Sequence, residues 1–230
     1  MPDAEHLPTG AEKVRAVRAM FDSIAPRYDL LNRVLTLGMD LGWRRETVAA
    51  LGLGRGSLVL DLACGTGDFC RELQRAGLAA VGFDSSAGML DRARTHAPLV
   101  LSDVLALPVP DGVADGVTCG FALRNVADLG QLFDEIARVV RPGGRIGLLE
   151  VAEPRSRLPR SLHRFYFHTI VPLIGGLLSD RRAYRYLPAS TAYLPEAGEL
   201  LRMLAARGFP DPRRKLLGLG AAQMILGTRS

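Results

Sequence analysis

The chain has only three cysteines, Cys64, Cys70 and Cys119, and none stands at CxxC spacing. An odd count without that spacing argues against zinc or a disulfide framework, and for reduced thiols in the cytoplasm. Aromatic residues are sparse, at 6%. No aromatic–basic RNA-binding motif or zinc-finger spacing accompanies them, so no nucleic-acid partner is expected. Long apolar runs are missing as well. The N-terminus carries Asp3, Glu5 and Glu12 in place of an apolar core, which reads as no signal peptide. The longest apolar stretch, Thr169 to Leu178, includes Pro172 and two glycines and is too short to span a bilayer. There is no internal repeat and no low-complexity tract. What remains is a soluble globular composition, 48% hydrophobic and 23% charged over 230 residues, which suits one domain, with or without an insertion.

Acids are scarce in one place. From Pro154 to Leu187 there are seven arginines and a single acid, Asp180, so this segment matches or exceeds the formal +5 of the whole chain. Arginine-rich composition alone explains part of that excess. Its concentration beside Phe165, Tyr166, Phe167, Ile170, Val171, Leu173, Ile174, Leu177 and Leu178 also suits contact with an anionic membrane surface. A lid packed on its own domain has the same composition, and the two readings are compatible.

The periodicities divide the chain. Residues 11 to 51 read as helical, with Leu30, Leu31, Val34 and Leu35 at helical spacing. From Ser57 strands and helices alternate: strand 58–62, helix 67–76, strand 80–83, helix 87–95, strand 99–101, strand 116–119 and helix 129–140. A stop and turn at Arg141-Pro142-Gly143-Gly144 precedes a strand over 146–151. Such βα units predict an α/β fold with a mostly parallel sheet. Residues 154–194 break the rhythm and read as a helical insertion. A helix over 196–207 and a hairpin of strands 214–218 and 222–227 follow. The expected organisation is a helical cap over 1–52, a core over 53–153 and 195–230, and the insertion at 154–194.

The core begins with Val59-Leu60-Asp61-Leu62-Ala63-Cys64-Gly65-Thr66-Gly67-Asp68-Phe69. A strand ends in an acid, the backbone turns over two glycines, and a helix starts; bare backbone there can take an adenosine-bearing cofactor. A nicotinamide fingerprint needs a small third residue where Cys70 stands, and a P-loop needs Gly-Lys-Ser/Thr. Asp68 at the helix start disfavours a pyrophosphate but not a cationic ligand. S-adenosylmethionine, a sulfonium without phosphate, fits. Asp84 ends the second strand, where a carboxylate can accept both ribose hydroxyls. Asp103, with Val104, follows the third strand and can meet the adenine. Strand-end acids at Asp61, Asp84 and Asp103 in register with one glycine loop are poorly explained as solvated loop residues.

This pattern resembles the Rossmann-like methyltransferases, in whose first motif only the first glycine is replaced here, by Ala63. The resemblance implies a seven-stranded sheet with an antiparallel seventh strand from the C-terminal hairpin. Longer segments resemble the ubiquinone/menaquinone C-methyltransferases of the UbiE/MenG type: Met20-Phe21-Asp22-Ser23-Ile24-Ala25-Pro26-Arg27-Tyr28-Asp29-Leu30-Leu31-Asn32, Trp43-Arg44, Phe121-Ala122-Leu123-Arg124-Asn125-Val126, Val171-Pro172-Leu173-Ile174-Gly175 and Ala183-Tyr184-Arg185-Tyr186-Leu187-Pro188. Two departures stand out. Asp40 and Leu41 occupy a usual His-Arg, and Gly120 occupies a usual serine.

The resemblance implies S-adenosylmethionine-dependent C-methylation of a prenylated quinol, most simply demethylmenaquinol, with S-adenosylhomocysteine as product. It gives Asp61, Gly65, Thr66, Gly67, Asp84, Ser85, Met89, Asp103, Val104 and Gly120 as cofactor-binding residues. Arg124, Asn125 and Tyr28 are the catalytic candidates, with Tyr28 and Asp29 closing over the cofactor. Arg124 has a competing reading as a bridge to Asp128. No residue stands out as general base; Asp40 is a candidate. No metal is expected, since His163 and His168 do not share a helix face. A ubiquinone precursor, another phenol or sterol acceptor, and a non-catalytic cofactor-binding module are the alternatives. The expected location is cytoplasmic, peripheral at the inner face of the membrane, with a homodimer through the insertion as a further partner.

Overall fold

A computed structural model describes residues 9–152 and 190–230. The alternating runs form β1 (Leu58–Leu62), β2 (Ala79–Asp84), β3 (Leu99–Leu101), β4 (Ala114–Gly120), β5 (Val140–Val151), β6 (Arg213–Leu217) and β7 (Ala222–Thr228). They build one sheet in the order β3-β2-β1-β4-β5-β7-β6. The pairings among β1 to β5 are parallel, and β7 runs antiparallel to both β5 and β6. The C-terminal hairpin therefore supplies the one reversed strand. The helices are α1 (Gly10–Ile24), α2 (Tyr28–Thr36), α3 (Met39–Leu51), α4 (Asp68–Arg75), α5 (Ala87–Leu90), α6 (Leu129–Val139) and α7 (Ala197–Ala205).

Side-chain alternation along the strands splits the core into two layers. Leu60, Leu62, Val117, Ile146, Leu148 and Ile225 pack beneath α6 and α7, against Phe133, Ile136, Leu200 and Leu204. Val59, Leu149 and Met224 take the opposite face, beneath Val48 and Leu51 of α3 and Phe69 and Leu73 of α4. Each such side chain, fully buried, contributes about 1.5–3 kcal/mol. The same alternation turns Asp61 toward α4, where its carboxylate accepts from the Cys70 thiol.

A third, smaller cluster joins Ile24, Ala25 and Leu31 to Met89 of α5. It lays the N-terminal helices across the carboxyl ends of the strands. Pro26 lies in the 3-10 turn Ala25–Arg27 that separates α1 from α2, and Gly38, in the left-handed region, opens α3.

Two elements differ from the sequence expectation. The helix expected over 87–95 stops at Leu90, because the Arg94 amide donates to the Thr66 carbonyl instead of continuing the helix. The turn at 141–144 lies inside β5 as an irregularity: pairing steps from Ala114↔Val140 to Gly116↔Arg145. All three cysteines are buried free thiols. The insertion read at 154–194, with its histidines and arginines, lies outside the described residues except for its last five positions. Among the described residues no helix is long and apolar enough to cross a membrane.

Candidate active site

The carboxyl ends of β1 to β4 leave a groove whose empty space, its open mouth included, is about 750 Å³. Ala63, Gly65, Asp84, Ser85, Met89, Asp103, Val104, Gly120 and Asn125 line it from the sheet side. Val14, Val17, Phe21 and Tyr28 close it from α1 and α2. A smaller polar pocket adjoins it, lined by Arg44, Asp61, Thr66, Asp68 and Phe69 and sharing Tyr28, Ala63, Gly65 and Gly120 with the groove. The site is thus one continuous cleft that changes character at Gly65 and Tyr28.

The turn after β1 needs left-handed backbone at Ala63, Gly65 and Gly67. At Ala63 a methyl group sits where a glycine would carry no steric cost. A Cβ on Gly65 would meet nothing nearer than the Tyr28 ring at 3.8 Å, so bare backbone faces the cleft. Gly67 does something else. It lines neither cavity, and a Cβ there would lie 2.8 Å from the Thr95 methyl. Its missing side chain leaves room for the segment after α5 to pack closely.

The acids are held in place. Asp84 Oδ2 accepts from the Gly65 amide and Oδ1 from the Ser86 amide, both at 2.8 Å. Burial pushes its carboxyl up, while amide donors from Ser86, Gly65 and Ser85 pull it back. Each oxygen takes one of these amide bonds, which leaves acceptor capacity on the carboxylate at the groove wall. Asp103 Oδ1 accepts from the Leu105 amide at 2.9 Å, a local turn that aims the loop into the groove. Asp61 accepts from Thr118 Oγ1 at 2.8 Å, and burial pushes it up to about 7, against hydrogen bonds from Thr118 and Cys70.

Tyr28 is the hinge residue of the cleft. Burial raises its phenol above the ordinary value, against a hydrogen bond with Asn32. It stays protonated at physiological pH and lines both the groove and the polar pocket. Its neighbour Asp29 accepts from the Thr66 hydroxyl, and Asp22 accepts from the Ser86 hydroxyl and from the Gly88 amide at 3.1 Å. These long-range bonds tie the cap to the glycine loop and to α5.

Three sequence expectations change here. Arg124 does not line the cleft and does not bridge to Asp128. Its guanidinium, 7% exposed, pairs with Glu150 and donates to the Phe121 carbonyl at 2.8 Å and Ser190 Oγ at 3.2 Å. It is a strut beneath the loop after β4, and Asp128 instead caps α6 through the Gln131 amide. Asp40 is fully paired with Arg33 and Arg44 and accepts from Thr36, so it is a structural anion and no free base. Asp68 does not present a bare charge at the start of α4. Arg33, Arg44 and Arg71 surround its carboxylate, and the case against a phosphate ligand loses that support. Asn125 remains at the cleft wall.

Sequence reasoning missed Phe21, Val14 and Val17 as cleft residues, and Arg44. The segments containing Phe21 and Arg44 were visible in the family resemblance. Their meeting point was not, because the pairs are distant in sequence. Among the described residues no group of histidines, cysteines and acids could hold a metal ion.

The chain matches the model of the ubiE/COQ5 methyltransferase family over residues 9–229. It is 45% identical over 228 residues to the Deinococcus radiodurans protein named demethylmenaquinone methyltransferase, covering 95% of this chain and 94% of the relative. It is 40% identical over 230 residues to the Geobacter sulfurreducens ubiquinone/menaquinone biosynthesis C-methyltransferase UbiE, covering 95% and 90%. Among solved structures, a Thermotoga maritima S-adenosylmethionine-dependent methyltransferase aligns with a TM-score of 0.65 at 17% identity, over 93% of this chain and 100% of that one. Phosphoethanolamine N-methyltransferase 2 of Haemonchus contortus, in complex with S-adenosylmethionine, aligns at 0.57 and 18% over 76% and 38%. These two likenesses show the fold. The bare backbone at Gly65, the pinned acid at Asp84 and the match over nearly the whole chain agree: the chain belongs to the ubiE/COQ5 methyltransferase family and is an S-adenosylmethionine-dependent C-methyltransferase.

Proposed function

We propose that this methyltransferase converts demethylmenaquinol to menaquinol. The observation that carries the reading is the mixed character of the cleft. It is polar along Asp103, Asp84 and Gly65, and apolar where Val14, Val17, Phe21, Val126 and Ala127 face it. A nucleoside suits the first part and an apolar ring system the second. The full-length similarity to proteins named demethylmenaquinone methyltransferase supports the choice of acceptor.

In this reading Asp103 and the Val104 backbone meet the adenine, Asp84 meets both ribose hydroxyls, and Ser85, Met89 and Gly120 complete the wall. Gly65 and Thr66 border the methionyl arm. The cofactor supplies an electrophilic methyl on a sulfonium. A quinol ring carbon forms the new C–C bond, the C–S pair stays on sulfur, and the ring carbon then releases a proton. The chain's contribution is alignment, which can be large. Tyr28 and Asn125 bracket the cleft where ring and cofactor meet, and Arg124 holds the loop that carries Asn125.

Turnover of demethylmenaquinol, followed by product mass and S-adenosylhomocysteine release, tests the reading. Turnover of a ubiquinone precursor or another phenol instead would replace the acceptor, and binding without release would leave a non-catalytic module. Asp84→Ala should weaken S-adenosylhomocysteine binding by about 1.5–3 kcal/mol; unchanged affinity refutes the ribose placement. The arginine-rich, apolar composition of 154–194 supports a peripheral position on an anionic membrane, where a prenylated quinol resides. Failure to co-sediment with anionic vesicles at low salt would remove that part.

A further inference from the structure

The two most exposed large apolar side chains among the described residues stand at the tips of turns. Leu37, which ends α2, is 79% exposed, and Leu219, between β6 and β7, is 92% exposed. Both hold left-handed backbone, at φ 51° and 58°, a conformation that suits glycine and that leucine adopts at a cost. Each sits in a run without charge, Val34 to Met39 and Leu216 to Ala222. A turn facing only water gains nothing from leucine at such a position. Leu30, two helical turns before Leu37 on α2, and Met39, at the start of α3, are exposed as well. Trp43 joins the two turns. It follows Met39 by one turn of α3, and Gly218 rests directly on its ring with no room for a Cβ.

Both turns lie at the carboxyl end of the sheet, where the cleft opens. α3 begins beside Asp68, just past the end of β1, and the Leu217↔Ala222 pair stands level with Val151, the last residue of β5. The arginine-rich segment leaves the described fold at the same corner, where the Ala152 amide donates to the Ala221 carbonyl at 3.0 Å. It returns at Ser190, against Arg124. The turns themselves are close to neutral, because the flanking Arg33 and Lys215 pair with Asp40, Asp68 and Glu46. The positive charge comes from the segment, with seven arginines and one acid from Pro154 to Leu187. An apolar tip beside a cationic segment is complementary to an anionic bilayer. The headgroups attract the cations, and the acyl boundary takes the leucines. We propose that Leu37 and Leu219, with Leu30 and Met39, form the surface that this protein inserts into an anionic lipid membrane. The proposal rests on the peripheral position given above and assigns it a face. With that face down, the sheet end that carries the cleft turns toward the bilayer, and a prenylated acceptor has a short path to it.

Glycine is the testing substitution, because it removes the side chain and suits the backbone at both positions. A protein carrying Leu37→Gly and Leu219→Gly together should keep its melting temperature and its turnover of a short-chain, water-soluble demethylmenaquinol. It should bind vesicles of phosphatidylglycerol and phosphatidylcholine about 10- to 100-fold more weakly than the unaltered protein. Trp43, the one tryptophan of the chain, gives a second readout without any substitution: vesicles containing brominated phosphatidylglycerol should quench its fluorescence. Equal vesicle binding by both proteins, or an unquenched Trp43 in protein that co-sediments, overturns the assignment and leaves membrane contact to the segment alone. If the unaltered protein binds no anionic vesicles at low salt, the peripheral position itself fails and this face falls with it. Two other occupants give results of their own without lipid. A dimer that the double variant splits into monomers assigns the turns to a second copy of the chain. Faster tryptic cleavage of the variant within 154–187 assigns them to that segment. Either result overturns the proposal.

Discussion

Asp68→Asn removes one charge from the centre of the cap–core junction while keeping the side chain's shape. The carboxylate is 5% exposed on its side chain and holds three helices together. Both oxygens accept from Arg33 Nη2 of α2 at 2.8 Å, Arg71 of α4 binds Oδ1, and Arg44 of α3 stands 3.7 Å from Oδ2. Breaking a buried ion pair by removing one partner costs about 3–5 kcal/mol. Arg33 and Arg71 are 25% and 21% exposed, so water compensates part of the loss, and Arg71 keeps the carbonyls of Thr66 and Arg94. Arg44 is the partner left with only Asp40. The lower end, about 3 kcal/mol, is therefore expected, and urea unfolding at pH 7 with an unchanged m-value would measure it. The pH dependence gives an independent check. Burial alone would raise the Asp68 carboxyl, but Arg44, Arg33 and Arg71 outweigh it and hold the group below the ordinary value. A depressed carboxylate contributes stability above its unfolded pKa and loses it as pH falls through its folded pKa. The gap between the two proteins should be full above about pH 5 and narrow below about pH 4. A difference under about 1 kcal/mol at pH 7, the range of exposed pairs, would refute the view that this carboxylate locks the cap.

Gly120→Ser installs the residue common in the resembling family. A Cβ there would lie 2.7 Å from the Phe69 ring, so overpacking should cost about 1–3 kcal/mol. Phe69→Leu should relieve much of that cost, and additive losses in the double variant would contradict the coupling. Asp61 sits near pH 7 because burial outweighs its hydrogen bonds from Thr118 and Cys70. Its raised value means the unliganded fold loses stability as pH rises from about 4 through about 7. A cationic ligand group in the pocket favours the ionised form, so S-adenosylhomocysteine binding should release a proton at pH 6 and strengthen toward pH 7.5. Calorimetry in buffers of different ionisation enthalpy would show it, and proton-neutral binding at pH 6 would count against a cationic ligand group beside Asp61.

The parts of the molecule that announce themselves locally were readable from the chain. β1, its glycine turn and Asp84 follow from period, turn chemistry and position, and the C-terminal hairpin follows the family resemblance into its antiparallel place. The errors are all long-range. Nothing near Ala87 tells that Arg94 will give its amide to Thr66 and end α5 early. Nothing near Arg124 marks Glu150 as its partner over Asp128, which is four residues away in sequence. Asp68 read as a bare charge because its arginines arrive from α2 and α3. Local rules see a residue's neighbours in the chain, and a site built across strand ends is made of neighbours in space.

Methyl transfer asks for alignment more than for strong acids or bases, and the cleft is organised accordingly. Its charged groups are spent on holding elements together: Arg124 on Glu150, Asp40 on Arg33 and Arg44, Asp29 on Thr66, Asp22 on Ser86. What faces the cleft is backbone at Gly65 and Gly120, a protonated phenol at Tyr28, an amide at Asn125 and the fixed acids Asp84 and Asp103. Preorganised groups lose little entropy on binding and need not reorganise during the transfer. The cap completes the site because Tyr28, Asp29 and Asp22 arrive on helices that pack on Met89 and bond to the glycine loop and α5. A chain lacking α1 and α2 would keep Asp84 and Asp103 at the strand ends and lose the wall made by Val14, Val17, Phe21 and Tyr28.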